Sequence, residues 1–198
     1  MKVIVIGATG TIGSAVSSLL TEEHQIIGAS RSSELAVDLQ KPETLESIFK
    51  HHPDVDAILC VAGDAAFGQF DSLTDDDIQF GINNKLMGQV NLVRLARKFM
   101  KENGIVVLTT GILAQNPNPN SSMVTMINRG IEGFVEAVSL DMPKNQKLHA
   151  VSPPMAKETA EKLGWGPGGV PASEIAKLYQ EALASSQQGM VFSYRQSG

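Results

Sequence analysis

The sequence predicts an α/β fold: one domain built as a doubly wound parallel β-sheet with helices on both faces. Three observations carry this. Short, unbroken apolar runs rich in β-branched residues recur along the chain, the pattern of strands buried on both faces. Helical periodicity separates them at almost every step, and no two-residue hairpin signal joins any pair. The chain has 198 residues, enough for one full core of this kind.

The first strand is Val3 to Ile6, followed at once by Gly7-Ala8-Thr9-Gly10-Thr11-Ile12-Gly13 and a helix starting near Thr11. In a strand–glycine turn–helix unit each glycine has a steric task. Gly7 permits the sharp turn, Gly10 lets backbone approach a pyrophosphate, and Gly13 lets the helix sit close to the strand. The helix start offers N–H groups and a partial positive charge to phosphates. The placement, directly after an N-terminal buried strand, points to dinucleotide binding.

Residues 25–29 read as the second strand. Its exit, Ser30-Arg31-Ser32-Ser33, has no acid to bond a ribose 2′-hydroxyl but offers a guanidinium, which suits a 2′-phosphate. The other reading of Arg31 is a solvated loop arginine. A short extended stretch is expected at Val37-Asp38-Leu39 and a helix over 42–51, with Pro42 in its first turn. Residues 55–61 read as a strand closed by Ala62-Gly63. Thr74 with Asp75, Asp76 and Asp77 reads as a capped helix start, not a metal site.

A long helix is expected over 78–100, interrupted at Gly81 and Gly88, then a strand over 105–108 ending in Thr109-Thr110-Gly111. Residues 114–122 are a loop, 123–140 a second long helix and 147–151 a strand ending in Ser152-Pro153-Pro154. Residues 164–171 form a loop suited to covering a site. A last helix runs from Ala172 to about Ser185, and a last strand covers 190–194. The long helices carry apolar residues on more faces than one core needs, so a homodimer or homotetramer is expected.

Net charge is −5, which argues against a nucleic-acid partner or an anionic membrane surface. Cys60 is the only cysteine and the four histidines have no metal spacing, so neither a disulfide framework nor a metal is expected. No apolar run approaches the ~18 residues of a membrane span. The strand at residue 3 leaves no room for a signal peptide, and a cytoplasmic location is expected.

Across nearly its whole length the chain resembles the short-chain dehydrogenase/reductase family. The stretches that carry the resemblance are GATGTIG at Gly7, VDL at Val37, VAG at Val61, LMGQVNLV at Leu86, VVLTTG at Val106, IEGFVEA at Ile131 and HAVSPP at His149. The resemblance implies a Rossmann-type sheet of about seven strands with NADP(H) across its switch point. It implies a cofactor site drawn from Gly7, Thr9, Gly10, Thr11, Ile12, Gly13, Arg31, Ser32, Asp38 and Leu39, with Val61, Ala62, Gly63, Thr109, Pro153 and Met155 continuing it. In that setting Asp38 bonds the adenine amino group, and Ser152 to Met155 line the nicotinamide pocket.

The family reduces carbonyls with a Tyr-x-x-x-Lys pair, a serine and an asparagine. Here Val124 and Asn128 fall at the tyrosine and lysine positions, and Tyr179 and Tyr194 lie elsewhere. Thr110 sits near the serine position. Lys85 or Asn84 takes the asparagine position, depending on register. The G-x-x-G-x-x-G spacing is similar to that of extended and atypical branches. Flavin- and biliverdin-reductase-like members share the size, glycine spacing and lack of the pair. The sequence thus allows an NADP(H)-dependent oxidoreductase of unknown small-molecule substrate, with Thr110 or Lys85 assisting. It also allows an inactive NADP(H)-sensing or scaffolding protein, and a Rossmann domain that binds nothing.

Overall fold

The computed structural model describes residues 1–143 and 145–194. Six parallel strands form one sheet: β1 (Lys2–Ile6), β2 (Gln25–Ala29), β3 (Val55–Cys60), β4 (Met100–Thr109), β5 (Lys147–Ser152) and β6 (Val191–Ser193). Their spatial order is β2-β1-β3-β4-β5-β6. From β2 the chain crosses back over β1 to start β3, so the switch point lies between the carboxyl ends of β1 and β3. Ligands of open parallel sheets bind at such a crevice.

The strands are buried on both faces, as their unbroken apolar runs require. Along β1, Ile4 and Ile6 enter one core with Leu45, Phe49, Leu92 and Ile131. Val3 and Val5 enter the other with Val16, Leu20, Ile175 and Tyr179. The first layer is α2 (Pro42–His51), α4 (Gly88–Phe99) and α5 (Ser122–Ser139), and the second is α1 (Thr11–Leu20) and α7 (Ala172–Ala184).

The structure corrects one expectation and adds detail to two others. Six strands, not about seven, are present among the described residues. The short stretch at residues 37–39 joins no strand of the sheet. Ser33 donates its hydroxyl hydrogen to the Leu35 carbonyl, Ala36 makes one isolated bridge to Ser30, and Val37 and Leu39 turn into the core. The helical run expected over 78–100 with interruptions at Gly81 and Gly88 is three segments, α3 (Asp75–Gly81), a π-helical turn (Ile82–Met87) and α4, and Met100 already belongs to β4. The interruptions fall at Gly81 and Gly88, where each helix touches a neighbour too closely for a side chain. A Cβ would lie 2.7 Å from Ile127 Cδ1 at the first and 2.7 Å from Leu39 Cβ at the second. One short helix, α6 (Lys157–Lys162), stands where the sequence shows no periodicity. No described helix is long and apolar enough to cross a membrane.

Candidate functional site

Two hollows of about 530 Å³ each meet at the carboxyl edge of the sheet. They share Val61, Ala62, Gly63, Asp64 and Thr159, and together make one cleft over the switch point.

The first hollow begins at the glycine turn. Gly7 has φ +91°, and a Cβ there would lie 2.6 Å from the Val61 carbonyl oxygen. A Cβ on Gly13 would lie 2.0 Å from the Gly7 carbonyl oxygen, so Gly13 serves the approach of α1 to the turn. Gly10 differs: a Cβ there would meet only Gly7 O, at 3.3 Å, and its remaining surroundings are open. Gly10 caps α1 without any side-chain acceptor, which leaves the helix-start N–H groups to the cleft. Thr9 and Gly10 line this hollow, as do Arg31, Ser32, Asp38 and Leu39; Ile12 lines the second. Thr11 opens α1 beside them. Ser33, by contrast, is engaged within its own turn, donating to backbone carbonyls and accepting from the Ser30 N–H at 2.7 Å.

The second hollow has a polar floor and apolar walls. Thr109, Thr110, Lys85 and Asn128 lie low in it, with Pro153 and Met155 on one side. Ile112, Leu113, Val124 and Leu163 supply apolar wall. At the mouth the rings of Phe67 and Trp165 stand 6.3 Å apart at 42°.

The two candidates for the asparagine position are placed differently by their contacts. The Asn84 side-chain oxygen accepts the Asp64 N–H at 2.7 Å and so holds the loop after β3. Lys85 extends along Gly63 instead, and its Nζ donates to the Thr110 carbonyl at 3.0 Å. Burial pushes its ammonium down to about 8, with the nearby Asp64 carboxylate opposing. Thr110 is itself buried, and its hydroxyl donates to Glu132 Oε1 at 3.1 Å. The other Glu132 oxygen accepts from Gln115 Nε2. Glu132 and Gln115 were not foreseen. The one available signal was a carboxylate set among Ile131, Gly133, Phe134 and Val135.

Other reactive groups are placed out of use. Tyr179 is fully buried on the α1–α7 side, its hydroxyl 2.7 Å from Thr109 Oγ1, and burial raises its pKa. Burial likewise pushes the Cys60 thiol up to about 12.

The residues fit a dinucleotide on observations independent of any motif. The glycine turn leaves a hollow just where a bare helix start faces outward. One buried polar atom of a residue lining the second hollow, Asn128 Oδ1, has no partner within the described protein. Buried polar atoms left unpaired are costly, and a ligand bearing hydroxyl or amide groups would satisfy such atoms.

A doubly wound sheet with a glycine-turn cleft running onto a polar floor defines a dinucleotide-binding oxidoreductase fold. The model of the family described as enoyl-(acyl carrier protein) reductase matches residues 8–170, and the chain belongs to the short-chain dehydrogenase/reductase family. Among solved structures, the protein lin1944 from Listeria innocua is 31% identical, with a TM-score of 0.93 over 98% of this chain and 100% of that one. A small-chain dehydrogenase solved in complex with NADPH is 21% identical, with a TM-score of 0.87 over 98% of this chain and 96% of its own. The 3-ketodihydrosphingosine reductase of Bacteroides thetaiotaomicron is 22% identical over 167 residues, 76% of this chain and 62% of that protein. This chain therefore spans less than two thirds of that relative's length.

Proposed function

We propose that the chain is an NADP(H)-dependent oxidoreductase that works without the family's tyrosine–lysine pair. The observation that carries this reading is the unbroken cleft, which joins a bare helix start and an arginine at one end to a buried polar floor at the other. Likeness of fold to a protein described with NADPH bound supports it. When bound, a reduced nicotinamide supplies hydride.

The chain's own residues bind and orient. The N-terminus of α1 and Gly10 hold the diphosphate. Arg31 and Ser32 meet a 2′-phosphate, and Asp38 and Leu39 border the adenine. Val61 to Gly63 support the ribose side, and Pro153 and Met155 border the nicotinamide. Val124 in the wall and Asn128 at the floor stand where the family places its acid and its ammonium, and neither moves a proton.

Arg31 is exposed at the rim. A charge-assisted contact of ~1.5–3 kcal/mol, discounted for exposure, gives about five- to thirtyfold preference for NADPH over NADH. Titration calorimetry with both cofactors, on the parent and on Arg31→Ala, measures it. Equal affinities in the parent, or a preference that survives Arg31→Ala, refute the assignment. A panel of carbonyl compounds assayed by NADPH oxidation then separates an enzyme from a cofactor-sensing protein, the reading that the identities of Val124 and Asn128 also support.

A further inference from the structure

This inference rests on the oxidoreductase reading and deepens it. We propose that Lys85 is the catalytic proton donor, delivering its Nζ proton to the oxygen of a flat, apolar carbonyl substrate seated between the polar floor and the Phe67–Trp165 pair.

Position comes first. Lys85 stands on the π-helical turn between Gly81 and Gly88 and lines the second hollow. Its stem packs so closely on Gly63 that a Cβ there would lie 2.9 Å from Lys85 Cγ. That contact fixes the direction of the chain toward the floor. An ammonium has three N–H donors, and the Thr110 carbonyl takes one at 3.0 Å. No carboxylate forms an ion pair with it among the described residues. Donors are left for a ligand oxygen.

Elimination comes second. Thr110 gives its hydroxyl hydrogen to Glu132, Tyr179 is sealed beneath the sheet on Thr109, and Cys60 is buried as a thiol. An amide such as Asn128 is no acid. Among the residues lining the hollow, only Lys85 and Asp64 carry charge, and Lys85 alone is a cation with N–H donors.

Proton affinity agrees with position. The titratable groups that face Lys85 are Asp64 and Cys60 directly, and Glu132 through Thr110. Burial outweighs Asp64 and brings the ammonium near neutrality, where an acid is both charged and able to release its proton.

The substrate class follows from the walls. Ile112, Leu113, Val124 and Leu163 are apolar, and the exposed rings of Phe67 and Trp165 frame the mouth. A slot of this composition takes a flat hydrocarbon body with one or two oxygens directed at the floor. In the reaction, hydride from the reduced nicotinamide forms the new C–H bond at the carbonyl carbon as the C=O π bond breaks. The oxygen takes the Lys85 proton, the carbonyl is reduced to an alcohol, and the nicotinamide is oxidised. Water returns a proton to the amine.

The test uses benzoate as an oxyanion probe and isatin as a flat ketone, on the parent, Lys85→Met and Lys85→Arg. Thermal melts of all three check folding. Benzoate binding to the NADP⁺-saturated protein is followed by the fluorescence of Trp165, the only tryptophan. The expected result is at least about tenfold weaker binding in Lys85→Met and retention within about threefold in Lys85→Arg. Parent affinity should fall above about pH 8, and that of Lys85→Arg should not. With isatin, kcat should drop by about 10²–10⁴-fold in Lys85→Met while NADPH affinity holds within about threefold.

Benzoate binding that ignores the lysine, or is missing in the parent, overturns the proposal. Isatin turnover that persists in Lys85→Met removes the lysine's role and leaves the oxidoreductase reading standing. Lysine-dependent benzoate binding with no isatin turnover in the parent makes Lys85 an anion-binding group, and overturns both its catalytic role and the oxidoreductase reading.

Discussion

The three glycines of the turn do different work, and single methyl groups separate their roles. In Gly13→Ala the added Cβ would lie 2.0 Å from Gly7 O and 2.7 Å from Gly7 C. Both are backbone atoms, so no rotamer change relieves the contact and α1 must move off the turn. Alanine gains ~1 kcal/mol of helix propensity over glycine. A contact this short exceeds ordinary overpacking of ~1–3 kcal/mol, and a net loss of about 2–4 kcal/mol is expected. At ~2–4 °C per kcal/mol for a chain of this size, Tm falls by about 5–15 °C.

Gly10→Ala should behave in the opposite way. Gly10 has φ −76° and ψ 168°, which any residue adopts, and its one close neighbour is 3.3 Å away. Loss of glycine at the cap costs a few tenths to ~1 kcal/mol, so Tm moves by at most about 4 °C. The methyl group projects into the hollow expected to hold the diphosphate, and NADPH affinity should fall at least about tenfold. Circular-dichroism melts and NADPH fluorescence titrations on both variants decide the matter. A Gly13→Ala protein melting within about 2 °C of the parent, or a Gly10→Ala protein that binds NADPH as the parent does, refutes this division of labour.

Two further outcomes follow from buried and exposed groups. His149 is fully buried, its Nδ1 accepts the Met190 N–H at 3.3 Å, and burial pushes its pKa from 6.5 down to about 4. The unfolded chain therefore binds the proton more readily. The neutral ring's contribution is complete above pH 6.5 and is lost as pH falls toward 4, up to about 3 kcal/mol, so urea melts across that window should show a slope that His149→Phe reduces. Leu140 and Met126 on the outer side of the α5 region are 85% and 48% exposed. Light scattering should give at least twice the 21.1 kDa chain mass, and Met126→Arg with Leu140→Asp should lower it; a parent monomer at micromolar concentration refutes the expected oligomer.

The central strands were legible because burial on both faces writes itself as an unbroken apolar run, as in Val3 to Ile6 and Ile105 to Leu108. Helix α3 was legible through chemistry: Thr74 and Asp77 form the reciprocal cap their spacing suggests. That the stretch at 37–39 pairs with no strand was not legible, because it depends on the serine turn before it, whose bonds direct Val37 and Leu39 into the core. Helix α6 was missed because six residues cannot show a helical period. In the cleft, the glycine turn and Arg31 were readable from position. The separate placements of Asn84 and Lys85 were not, since they depend on a π turn that changes the angle between successive residues. Glu132 and the Phe67–Trp165 pair depend on contacts between distant segments, which spacing along one chain does not encode.

The π turn makes the cleft separable from the scaffold. Gly88 donates its N–H to the Asn83 carbonyl, five residues back, so this turn holds one residue more than an α-helix would use. The glycines at its two ends keep their own neighbours, Ile127 and Leu39, whatever lies between them. Removing a single residue from 82–87 would let the run wind as a plain α-helix. Both ends would stay docked while the residues between them rotated, each by up to about 100°. Lys85 would then swing out of the floor, and Asn84 and Leu86, which hold Asp64 and pack on the core, would turn with it. A one-residue deletion in this turn would therefore take the lysine out of the cleft. Sister chains one residue shorter between the two glycines should keep the dinucleotide half intact and lack a lysine at its floor.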